Sequence, residues 1–172
     1  MRLPSILSLI VLIAVSLAAT TACSAVGCTE NQNSVPLAGF YSMTTGQAIG
    51  IDSISVMGQG APGDSMLVRP SQRLSQTYLP FRSAHASSTF IIKYEQKALA
   101  QYDLQDRITF YYDTTPWFAS EDCGAMYHYR ITRVDHTLVF LDSVGVSDSL
   151  ITNIEKESIQ LFFRTGEEAA DL

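Results

Sequence analysis

Charge is scarce in this sequence: Asp, Glu, Lys and Arg make up 16% of its residues, and no Lys/Arg cluster occurs. With 17 acidic and 11 basic side chains, the net charge is −6. Binding to nucleic acid, or to anionic lipid through a polybasic patch, needs a basic stripe that is missing here. Histidine is also sparse: only His85, His128 and His136 are present. A hydrolase needs a nucleophile, a base and an orienting acid within hydrogen-bond reach. Asp135 and His136 are neighbours in sequence, and neighbours on a strand point to opposite faces. His128, between Tyr127 and Tyr129, reads as a structural histidine. No Gly-x-Ser-x-Gly elbow occurs, and Gly58–Gly63 lacks the lysine of a phosphate loop. There is no Cys-x-x-Cys and no histidine at ligand spacing, so no zinc site is expected. Glu121-Asp122 reads as a solvated turn, because a calcium loop needs six or more oxygen ligands in order. The expectation is a non-enzyme without metal or cofactor.

Long apolar runs are absent after the first twenty residues. Residues 5–19 are apolar, preceded by one charge, Arg2, and followed by none until Glu30. About fifteen residues are too few for a bilayer span, which takes roughly 20. The layout is that of an export signal. Thr20-Thr21-Ala22-Cys23 then resembles a lipoprotein signal-peptidase box, although Thr20 stands where leucine is usual. Ala25-Val26-Gly27-Cys28 is a second candidate, and an ordinary cleaved signal is a third. The preferred reading is a signal peptide over 1–22 and lipidation at Cys23. Cleavage there leaves 150 residues (172 − 22), enough for one domain. Two or three acyl chains would hold it firmly on a membrane.

Cysteine is limited to Cys23, Cys28 and Cys123. An odd count in an exported protein calls for an explanation. Acylation of Cys23 leaves a pair that the oxidising compartment can join. Two unpaired cysteines, or lipidation at Cys28 instead, remain alternatives. A Cys28–Cys123 bridge would close a 95-step loop, worth roughly 4–5 kcal/mol in the chain-entropy model.

Aromatic residues are plentiful, with eight Tyr and eight Phe. Strand patterns recur over Leu37–Met43, Ile51–Val56, Ser65–Val68, Thr89–Tyr94, Arg107–Tyr112, Tyr127–Val134, Leu138–Val146 and Ser158–Arg164. Thr77–Arg82 contains Pro80 and reads as an edge or irregular segment. Alternation of period two implies antiparallel sheets with one wet face. The expected fold is an all-β, antiparallel β-sandwich over 37–164, with a small barrel as the alternative. A polar tether fills 23–36 and an acidic tail fills 165–172. Glu95–Gln105 has helix-forming composition and reads either as a helical turn or as the end of a long hairpin.

Trp117-Phe118 follows Thr114-Thr115-Pro116. A tryptophan on a loop either stacks on a sugar or anchors a protein partner, or it plugs the open end of the sandwich. The plug is preferred. Trp117, Phe118, Tyr111 and Tyr112 are the candidate ligand or partner contacts, and a glycan-binding alternative would use Trp117, Tyr111 and Tyr112.

Cys28, Phe40-Tyr41, Ile51-Asp-Ser-Ile-Ser-Val56, Asp106–Tyr112, Ser120-Glu-Asp-Cys-Gly124 and Thr137–Asp142 together resemble a family of unknown function. Its members are small lipoproteins of Bacteroidetes. The resemblance implies a partner for Cys28 in Cys123, and an accessory role beside an outer-membrane β-barrel or another envelope protein. Surface lipoproteins of that phylum carry an acidic run after the cysteine. Here Ser24-Ala-Val-Gly27 follows, which implies the periplasmic face of the outer membrane.

Overall fold

The computed structural model describes residues 28, 31–61, 66–70 and 73–165. The signal segment, Cys23 and the tail beyond Thr165 lie outside the described residues. Among the described residues, ten strands form two sheets: β1 (Leu37–Ser42), β2 (Ile54–Gly58), β3 (Met66–Val68), β4 (Gln76–Tyr78), β5 (Ser87–Tyr94), β6 (Gln105–Ser120), β7 (Gly124–His136), β8 (Leu141–Val146), β9 (Leu150–Ile151) and β10 (Glu157–Phe163). One sheet runs β4-β1-β10-β8, the other β3-β2-β5-β6-β7-β9. Neither closes on itself, so the fold is a sandwich and not a barrel. Among the described residues, no helix is long and apolar enough to cross a membrane.

Alternation decides which side chains face inward. Ser88, Phe90, Ile92 and Tyr94 of β5 are buried, as are Asp106, Ile108, Phe110 and Tyr112 of β6. Across the core they meet Ala38 and Phe40 of β1, Leu141 of β8, and Ile159, Leu161 and Phe163 of β10. Each large apolar side chain removed from water contributes about 1.5–3 kcal/mol. Pro80 lies just beyond β4, which forms an edge as expected.

The structure departs from expectation in four places. β1 pairs with β10 in parallel, Phe40 opposite Leu161, because the first and last strands of the domain meet side by side. The 95–105 segment is both things at once: a 3-10 turn at Ala100–Tyr102 inside the β5–β6 hairpin. β6 continues through Pro116 to Ser120. Residues 34–36, expected in the tether, are packed instead: Ser34 and Pro36 are buried or nearly so, and Leu79 N–H donates to the Pro36 carbonyl at 3.0 Å.

Candidate functional site

β6 and β7 form the longest hairpin of the molecule, and its outer half is the feature that stands out. β5 accompanies β6 only as far as Tyr111, opposite Ser87. From there the hairpin is a two-stranded arm, flanked by β9 only at Tyr129 and Arg130. Pro116 sits on the side that β5 has left, where a missing N–H breaks no ladder bond. The turn is closed by Gly124 at φ +73°, a value that suits glycine. Cys123 in that turn is joined to Cys28 by a disulfide, with the two α-carbons 4.7 Å apart. The bridge clamps the start of the described chain to the end of the arm.

The four expected contact residues do not form a common platform. Trp117 pairs with Met126 and Phe118 with Ala125, so the two rings leave opposite faces of the arm. Trp117 is 51% exposed and Phe118 64% exposed, which corrects the expectation of a plug. Trp117 lies flat against His128, ring centres 5.1 Å apart, and the His128 Nε2 atom has no partner. Tyr127, 47% exposed, shares the Phe118 face. Tyr111 is covered by the Arg133 guanidinium, 3.9 Å from the ring centre. Tyr112, expected as a contact residue, is buried in the core. Its ring stacks on Phe81 at 4.4 Å, and its hydroxyl exchanges hydrogen bonds with Ser88 and the Arg82 backbone. A sugar-stacking face would need coplanar exposed rings, and these residues do not supply one.

The opposite end of β6 carries a group that sequence reasoning missed. Asp106 is fully buried. Its Oδ1 accepts from Thr137 Oγ1 (2.7 Å) and the Val139 N–H (2.8 Å). Its Oδ2 accepts from the Tyr94 hydroxyl (2.7 Å) and the Phe140 and Leu141 N–H groups (2.8 Å each). Among the described residues no cation pairs with it; three amides and two hydroxyls surround the carboxylate instead. Burial, with Asp106 beside it, pushes the Tyr94 hydroxyl well above the ordinary tyrosine range. Asp106 thereby fastens the β7–β8 turn, where the chain crosses from one sheet to the other.

Residues 53–163 match a family of unknown function, DUF6452. The chain belongs to that family. No curated protein and no solved structure matches it. The match fits an uncharacterised domain, as the resemblance implied. The DUF6452 span includes the whole aromatic arm and Asp106; β1 and Cys28 lie ahead of it.

An open cavity of about 610 Å³ reaches Tyr94 and Phe140, which bond Asp106, and is lined from both inside and outside the DUF6452 span. Ile49, Ile51, Leu99, Phe140 and Phe163 supply apolar wall, and Arg73 lies across Gly50, whose Cβ would strike the arginine stem at 2.5 Å. Asp52 lines the same cavity, so the arginine is not the sole charge there. The histidines are dispersed. His85 is exposed, His128 lies under Trp117, and His136 Nε2 contacts the Asp142 carbonyl at 3.1 Å. Asp135 pairs with Arg133 at 3.1 Å. Among the described residues, no group of three or more His, Cys, Asp or Glu side chains is placed to hold a metal.

Proposed function

We propose that this protein is a lipid-anchored, non-catalytic module of the bacterial envelope that docks a second envelope protein by strand addition at the edge of β8. The anchor is Cys23, the compartment is the periplasmic face of the outer membrane, and the partner class is an outer-membrane β-barrel or its associated subunits. The apolar run before Cys23 and the resemblance to Bacteroidetes lipoproteins support the anchor. The Cys28–Cys123 bridge suits an oxidising compartment.

One observation carries the docking mode. β8 closes the four-stranded sheet at one side, contains no proline and runs for six residues. Ser143 and Gly145 face β10 across the ladder, whereas Val144 and Val146 turn their N–H and C=O groups outward. Among the described residues, nothing pairs with those outward groups; His136 meets only the Asp142 carbonyl. The other edges are shorter or are interrupted: β3 and β4 have three residues each, and the free side of β6 carries Pro116. An unpaired, unblocked strand edge is the template that strand addition uses.

The test is extraction of native membranes in mild detergent, followed by affinity purification of the tagged protein and of Val144→Pro. Proline at 144 removes an outward N–H and no bond to β10. A stoichiometric envelope partner with the parent chain, lost with Val144→Pro, is the expected result. A monomer in both preparations would overturn the docking reading. The mass of the purified chain tests the anchor separately. A chain that begins at acylated Cys23 supports it, and an intact Met1 with an unmodified Cys23 overturns it.

A further inference from the structure

Anchor and disulfide together constrain how the domain meets the membrane. Cys23 lies five residues ahead of Cys28 (28 − 23). Even fully extended, five residues span no more than about 18 Å. Cys28 is bonded to Cys123 with the α-carbons 4.7 Å apart, so the end of the β6–β7 arm is held within about 23 Å of the acylated residue. Phe118–Ala125 and Trp117–Met126 are the pairs next to the closing Ser120–Gly124 pair. At roughly 3.3 Å per residue, Phe118 lies about 7 Å and Trp117 about 10 Å behind that closing pair.

The end of the arm is apolar on both sides. Phe118 and Tyr127 leave one face and Trp117 the other, and each is about half exposed or more. A protein surface covers one face of a two-stranded arm, whereas a lipid interface surrounds both. Trp and Tyr favour the headgroup level, where an apolar ring body and a polar edge are both satisfied. We propose that the end of the β6–β7 arm lies along the lipid interface beside its anchor, with Trp117, Phe118 and Tyr127 at headgroup level and the Glu121–Asp122 turn on the aqueous side, and thereby fixes the orientation of the domain. The inference rests on the anchor at Cys23 and is independent of the β8 edge. Glu121 and Asp122, exposed in the turn, set the lipid chemistry. Their carboxylates are repelled by an anionic surface, so the occupant is a zwitterionic leaflet.

Trp117 is the only tryptophan, so its fluorescence reports the tip alone. The full chain, purified from membranes with its native modification, would be reconstituted into phosphatidylethanolamine–phosphatidylcholine vesicles with and without brominated acyl chains. Brominated lipid is expected to quench most of the Trp117 emission, most strongly with bromine placed near the headgroup. Replacing part of the lipid by phosphatidylglycerol should reduce the quenching. Phe118→Ser, at an exposed position, should weaken seating of the tip about tenfold, the loss expected for one phenyl ring. Unchanged emission in brominated vesicles, from a chain whose mass shows acyl groups, would overturn the tip and leave the anchor standing. A mass without acyl groups would overturn the anchor, and quenching on vesicles added to that chain would still decide the tip.

Discussion

The two ends of β6 obey opposite rules. Near its start, Asp106 is cut off from water and accepts from five donors. Near its end, Trp117 and Phe118 stand half exposed or more, with no core to cover them. The first arrangement ties the two sheets together, and changing it should damage the fold. The second contributes little to the fold and leaves apolar surface for something outside the chain. Packing and exposure thus divide the two ends of one strand, and the disulfide holds the exposed end to Cys28.

The largest effect separating the ends is expected at Asp106. Asp106→Ala leaves three amides and two hydroxyls, buried or part-buried, without their acceptor. Each unsatisfied group costs about 1–3 kcal/mol, so a loss of about 5 kcal/mol or more in urea denaturation is expected. Near-parental stability would mean that water enters and replaces the carboxylate, and the contrast between the ends would fail. Next comes the clamp. Cys123→Ser should cost about 2–5 kcal/mol, lowering the melting temperature by roughly 2–4 °C for each kcal/mol. Reduction of the parent protein should reproduce the shift. A variant that melts with the parent would show that the 95-step loop is not held by the bridge.

Legibility in the sequence followed the same division. Alternation over Thr89–Tyr94 and Arg107–Tyr112 announced the inner strands because one face of each is buried. The same phase put Tyr112 with Ile108 and Phe110, so Tyr112 belonged to the core on its own pattern. Asp106 occupies that inward phase too, and a carboxylate there was the available signal for the buried hub. Its donors on Thr137–Leu141 are about thirty residues away, and no local rule pairs them. The arm was hidden by Pro116, which reads as a breaker until β5 is known to end at Tyr111. β9 has two residues and carries no period. The parallel β1–β10 pair joins the two ends of the domain, where sequence patterns say nothing of partnership.

A smaller effect should appear at high pH. Tyr94 keeps its proton in the folded state because of burial first and the Asp106 charge second, while an unfolded tyrosine titrates near its ordinary value of 10. Above that pH the unfolded chain has released a proton that the folded chain retains. Stability is therefore complete below pH 10 and falls above it, by about 1.4 kcal/mol for each further pH unit per such group. Tyr129, raised mainly by burial, adds to the slope in the same direction. Denaturation at pH 9 and pH 11 would measure it. Tyr94→Phe should flatten the slope while lowering stability at neutral pH through the lost bond to Asp106. A slope unchanged by Tyr94→Phe would place the titrating group elsewhere.

The smallest effect is expected at the aromatic tip, and it is the one that makes the comparison sharp. Trp117→Ala and Phe118→Ser remove rings that water already touches on much of their surface. Surface substitutions of this kind shift stability by about 0.5 kcal/mol or less. Trp117 stacks on His128, so its removal should fall at the upper end of that range and Phe118→Ser at the lower. Both variants should melt close to the parent while Phe118→Ser loses its hold on zwitterionic vesicles. A ring that is dispensable for folding but needed at a lipid surface is retained for contact and not for packing. If either substitution instead destabilised the domain by several kcal/mol, the tip would belong to the core after all, and β6 would have one rule along its whole length.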